Sequence, residues 1–187
     1  NSVKPDIIGF QDVSPLHYDY IVKSMPGYLH EMAYRDDFIL SEGCPIFYRA
    51  DKYEKIDSGS FWLSETPEVM SKDWGAAHYR VATYMILKDR VSGREFVVFN
   101  THLDHVSEVA QAESIALISS KIAQIAPDIP VVLTGDFNFK QTKDLDLVPY
   151  GSEYTPVAST STFAGTYDGS GYAINAEISV ANDACIF

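Results

Sequence analysis

At 187 residues, with 46% apolar and 13% aromatic content, the chain has material for one sizeable hydrophobic core and too much of it to stay disordered. A formal net charge of −12 argues against tight binding of long DNA or RNA, which rests on a basic surface, and two cysteines, Cys44 and Cys185, suggest neither a disulfide framework nor a thiolate zinc site. No apolar run approaches the ~18 residues of a membrane helix. The chain begins at Asn1 rather than at an initiator methionine, so a processed or partial chain is expected and its localisation stays unknown.

In chain order, "DIIGFQDV" (Asp6–Val13) is a short apolar run that predicts a buried strand closed by Asp12. Ser14 then caps and Pro15 opens a helix to about Met25, which Pro26 and Gly27 stop. "CPIFYR" predicts a strand, followed by a turn and "SGSFWLS". "RVATYMILKD" and "REFVVFN" flank Arg90–Gly93, a segment with the composition of a hairpin loop. From Ser107 to Ala126, Ile115, Ile118, Ile122 and Ile125 recur at helical spacing, and Pro127 closes the helix. "IPVVLTGDFN" is the next buried strand, and "AINAEISV" in a Ser-, Thr- and Gly-rich tail is expected as the last. Hairpins beside strand–helix units favour packed sheets covered by helices over a doubly wound parallel sheet.

Polar residues collect where these strands end. Asp12 closes the first, Asn100 and His102 close "FVVFNTH", and Asp136 and Asn138 close "VVLTGDFN". Side chains two apart on a strand share a face, so each pair can converge on one point, and Gly135 permits close backbone approach. These residue types suit phosphate-ester hydrolysis, which needs charge neutralisation, an oriented water and a stabilised leaving group. Arg80, entering a strand, is a candidate phosphate clamp by its chemistry. Asp104 and His105 read as supporting or surface groups, and Trp62 and Trp74 as packing.

Taken together, "PDIIGFQDV", "NTHLDH" and "LTGDFN" resemble the motifs of the endonuclease/exonuclease/phosphatase (DNase I-like) superfamily. "CPIFYRADKYE", "SGSFWLSETPE" and "RVATYMILKD" resemble a bacterial branch of undefined substrate. The resemblance implies an α+β fold, a four-layer αββα sandwich of two packed mixed sheets with outer helices, in a single domain spanning 1–187. It also implies an active site that binds Mg²⁺ (or Mn²⁺), with Asp12 as metal ligand. In the same way His102 matches the residue that contacts the scissile phosphate, Asp136 the one that orients or activates water, and Asn138 its phosphate-side partner. Glu42 is expected to support the histidine, and Asn100 with Arg80 to bind substrate.

Departures from the family pattern are also legible. The family's first-strand Asn and its closing Ser-Asp-His have no counterpart, so the domain is expected to be incomplete at both termini. Asp12 is one methylene shorter than the family's Glu, and Asn175 stands where the family has Asp. Two functions are therefore expected. One is a divalent-metal-dependent phosphoesterase, cleaving a phosphodiester or phosphomonoester of small, lipid-linked or nucleic-acid type by direct water attack. The other is a catalytically degenerate member that binds a ligand or protein. An unpaired sheet edge would also allow a dimer.

Overall fold

The computed structural model describes residues 4–138 and, beyond them, the backbone of strands Thr162–Gly169, Tyr172–Ser179 and Cys185–Ile186. The elements run β1 (Ile7–Gly9), α1 (Pro15–Ser24), β2 (Tyr28–Glu31), β3 (Ile46–Arg49), β4 (Tyr53–Trp62), β5 (Val81–Asp89), β6 (Glu95–His102), α2 (Glu108–Ile125), β7 (Val131–Asp136), then β8, β9 and β10 for the three outlying strands. One sheet is antiparallel, in the order β1-β3-β2. The other is mixed, in the order β10-β7-β6-β5-β4: β7 runs parallel to both of its neighbours, and the β6-β5-β4 meander is antiparallel. Strands β8 and β9 pair with each other.

The alternation of side chains explains the layering. On β3, Ile46 and Tyr48 are buried with Met85, Leu87 and Val98, which forms the apolar seam between the two sheets. Phe47, between them, turns to the opposite face and meets the rings of Tyr18 on α1 and His30 on β2. On β6 the same rule sends Val97 and Phe99 away from the seam, into a second cluster with Ile118, Leu133 and the other α2 isoleucines. The order of layers is thus α1, small sheet, large sheet, α2, as the fold expectation required. Ser107 accepts a hydrogen bond from the Ala110 N–H at 3.1 Å and so caps α2.

Three expectations are corrected. The first strand ends at Gly9, so Asp12 lies three residues beyond it, in left-handed backbone with φ 55°. Strand β2 was not expected, because a four-residue half-exposed strand containing His30 and Glu31 carries no apolar run. β9 holds most of "AINAEISV", yet β10 follows it and pairs with β7. Cys44 is buried as a free thiol, as its composition suggested, and burial pushes it up to about 12. The side chains of Cys185 and Asn175 lie outside the described residues.

Candidate active site

Parallel pairing of β6 with β7 brings their C-terminal ends to the same rim, with His102 directly opposite Asp136. That juxtaposition needs a close backbone approach at Gly135, where a Cβ would stand 2.4 Å from the Thr101 carbonyl oxygen. Asn138 joins the pair by a different route from the one its spacing implied. β7 ends at Asp136, and Asn138 sits in left-handed backbone at φ 52°, with its N–H donating to Asp136 Oδ1 at 2.9 Å. Asn and Asp tolerate that conformation better than other side chains, because they bond locally.

The Asn138 amide nitrogen donates to the Leu103 carbonyl at 3.0 Å and lies 2.8 Å from His102 Nε2. A carbonyl can only accept, so Nδ2 is the donor to both groups and His102 Nε2 accepts. His102 Nδ1–H therefore donates to Asp12 Oδ1 at 2.8 Å. Asp136 Oδ2 stands 3.8 Å from His102 Nε2. The imidazole is nearly buried, whereas the carboxylates of Asp12 and Asp136 are 52% and 51% exposed. A sheltered imidazole thus sits between two wet carboxylates, which can carry protons to and from a reacting oxygen.

Glu42 does not support His102. Its carboxylate pairs with Arg35 Nη1 at 2.8 Å, and the shorter Asp12 takes the place at the imidazole. Asn100 is also displaced from its expected role. It is fully buried, and its side chain donates to the Phe10 and Pro45 carbonyls and accepts from Gln11 Nε2 and Thr134 Oγ1. With two donors and two acceptor positions all filled, it has nothing left for a substrate. Asn100 instead ties the large sheet to the segment that carries Asp12, and Gly9 leaves room for it: a Cβ there would lie 2.6 Å from Asn100 Oδ1.

Arg80 is 5% exposed rather than a surface arginine, and it lines a recess with Asp12, Arg35, Glu42, Gly43, Cys44, Val81 and His102. Its Nη2 donates to His105 Nδ1 at 3.2 Å, and its Nε lies 3.9 Å from Asp104 Oδ2. Burial first, and then the charge of Arg35, pull the Arg80 guanidinium below its ordinary value, against Asp104 and Asp12. Asp104 is more than a surface group. It is 1% exposed and accepts the backbone N–H groups of Ala77, His78, Val106 and Ser107. Burial raises its pKa, but these bonds outweigh burial and hold the carboxyl below its usual range. Arg35 was missed by sequence reading. "YRDDFILSEG" offers a loop arginine among acids, and nothing in it marks proximity to Arg80.

No family model matches the chain. Solved structures do. An endonuclease/exonuclease/phosphatase from Bacteroides vulgatus is 36% identical, with a TM-score of 0.70 over 84% of this chain and 65% of that one. A second, the mannosyl-6-phosphatase of Bacteroides thetaiotaomicron, is 36% identical with a TM-score of 0.69, over 75% of this chain and 54% of that one. The chain belongs to the endonuclease/exonuclease/phosphatase superfamily. Within that superfamily it is also 28% identical to protein angel of Drosophila melanogaster over 141 residues, 72% of this chain and 39% of that protein. The chain thus spans about half the length of several relatives it matches.

Proposed function

We propose that the chain is a hydrolase of phosphate esters, in which a divalent cation assists direct attack of water. The observation that supports this most is the contact of Asp12, His102 and Asn138 beside Asp136, drawn from three segments to one rim. One solved relative is named a mannosyl-6-phosphatase, and ANGEL2, named a 2',3'-cyclic phosphatase, supports the fold alone at 20% identity.

The donor set suits a hard cation. Among the described residues no three His, Cys, Asp or Glu side chains are placed to cage a metal, which argues against a closed zinc site. Mg²⁺ asks less of the protein, since it takes one or two carboxylates and keeps several waters. Asp12 meets that demand: it is half exposed, and its Oδ2 has no partner among the described residues. When bound there, the cation would supply charge neutralisation at a phosphate oxygen.

The remaining work falls to the chain's own groups. Asp136, held at the strand end and turned to solvent, orients water and accepts its proton. Asn138 Nδ2 donates towards a phosphate oxygen in place of His102 Nε2 when substrate arrives. His102, freed at Nε2, can take up a proton and then donate it, while Asp12 Oδ1 stabilises the imidazolium. Hydrolysis of an aryl phosphate by the 187-residue chain, measured with Mg²⁺ and with excess chelator, tests this reading. Turnover that the chelator abolishes is expected. Phosphate binding without turnover would favour the second reading, a binding module, to which the engagement of Asp12 Oδ1 by His102 lends support.

A further inference from the structure

We infer that Arg35 and Arg80 form an anion subsite beside His102 that selects the dianion of a phosphomonoester over the monoanion of a phosphodiester. This rests on the phosphoesterase reading for its reaction, though not for its binding. Arg35 and Arg80 both line the shallow recess that they share with Asp12 and His102. Both have a buried Nε without a hydrogen-bond partner. Leaving a buried donor without a partner is unfavourable, so such a group calls for an acceptor.

The acids already present do not provide it. Glu42 occupies Nη1 of Arg35, and Asp36 stands 3.5 Å from its Nε without hydrogen-bond geometry. Behind Arg80, Asp104 lies 3.9 Å from Nε, and its oxygens already accept four backbone N–H groups. The backbone that carries each arginine is also fixed before any ligand arrives. The Arg35 backbone N–H donates to the Glu42 carbonyl, and its carbonyl accepts the Trp62 indole N–H at 2.8 Å. The Arg80 carbonyl accepts the Leu63 N–H at 2.8 Å. The charge of Arg35 acts against that of Arg80, and that repulsion falls when an anion sits between them.

The shape of the ligand follows from the fork geometry. A guanidinium offers paired N–H donors that match two oxygens of a phosphoryl group. A phosphomonoester near neutral pH carries about −1.5 to −2 charges and three terminal oxygens, enough for two forks and His102. A diester has one charge and two free oxygens, too few to engage two forks and His102 together.

The test is calorimetric titration of the 187-residue chain with inorganic phosphate, methyl phosphate and dimethyl phosphate. Each titration is repeated on Arg35→Gln and Arg80→Lys, with thermal unfolding as a control on the fold. Phosphate and methyl phosphate are expected to bind at least tenfold more tightly than dimethyl phosphate, and each substitution is expected to erase most of that gap. Equal binding of the mono- and diester, or an unchanged gap in Arg35→Gln, would overturn the subsite. Arg35 is partly exposed, so its substitution decides the matter if Arg80→Lys fails to fold. Binding that follows this pattern without turnover would sink the hydrolase reading and leave the subsite standing. Turnover without the preference would do the reverse.

Discussion

Two carboxylates near His102, Asp136 across the β6–β7 pair and Asp104 two residues on, are expected to do opposite kinds of work, and substitution separates them. Asp136 is half exposed, and among the described residues its polar contacts are the turn at Asn138 and the neighbouring imidazole. Asp136→Asn is expected to lower kcat/KM on an aryl phosphate by at least about a hundredfold, the usual contribution of a positioned base, with little change in unfolding midpoint. Near-native rates at saturating Mg²⁺ would remove Asp136 from the reaction. Asp104 lies one position beyond Leu103 and is buried under four backbone N–H donors. Asp104→Asn keeps the size and loses the charge, and should destabilise the fold by on the order of 3 kcal/mol in urea unfolding at neutral pH. Because the folded-state pKa of Asp104 is depressed, its stabilisation is fully present above the ordinary carboxylate value near 3.9 and is lost as pH falls through the lower, folded value. The gap between native protein and variant should therefore hold steady down to about pH 4 and narrow below it. A gap that narrowed between pH 8 and 6 would point to a different group.

At the level of strands and helices, the central test is Asn100. It satisfies carbonyls from two other segments, so Asn100→Ala leaves buried acceptors on both, at an expected cost of about 2–4 kcal/mol. It should also weaken phosphate hydrolysis, because Phe10 and Gln11 lead directly into Asp12; unchanged stability in urea would show that the bond set is not formed. The same residue marks how far the sequence could be read. Apolar runs and helix stops in it were enough for α1, β3, the β5–β6 hairpin and α2, since each depends on local periodicity and on Pro or Gly punctuation. Period-two spacing correctly placed Asn100 and His102 on one face, yet it carries no information about depth. Four hydrogen-bonding partners were waiting under the rim, and the amide turned inward to fill them. Likewise, Asp12 meets the imidazole across 90 positions and Glu42 meets Arg35 within the loop between β2 and β3, and spacing along one strand encodes neither contact.

For the molecule as a whole, a net charge of −12 surrounds a recess walled by two arginines. Long-range repulsion should slow the arrival of anionic substrates, whereas contacts inside the recess are screened much less. Raising the ionic strength from ~10 mM to ~150 mM, over which the screening length falls from about 30 Å to about 8 Å, should raise kcat/KM for a phosphomonoester several-fold. A steep fall would instead mean that attraction at the recess, and not the net charge, governs arrival. The Asp12–His102 contact has its own consequence, since it joins residues 90 positions apart. The tip of the β5–β6 hairpin falls between them and is open to cutting, with Val91 95% exposed. A chain divided between Val91 and Ser92 would leave Asp12, Arg35 and Arg80 on one piece and His102, Asp136 and Asn138 on the other. Neither piece would hold a working half, and phosphate capture would become a reaction between two molecules. Its strength should rise with the concentration of both pieces and vanish for either alone; capture by one piece alone would show that the rim does not need both.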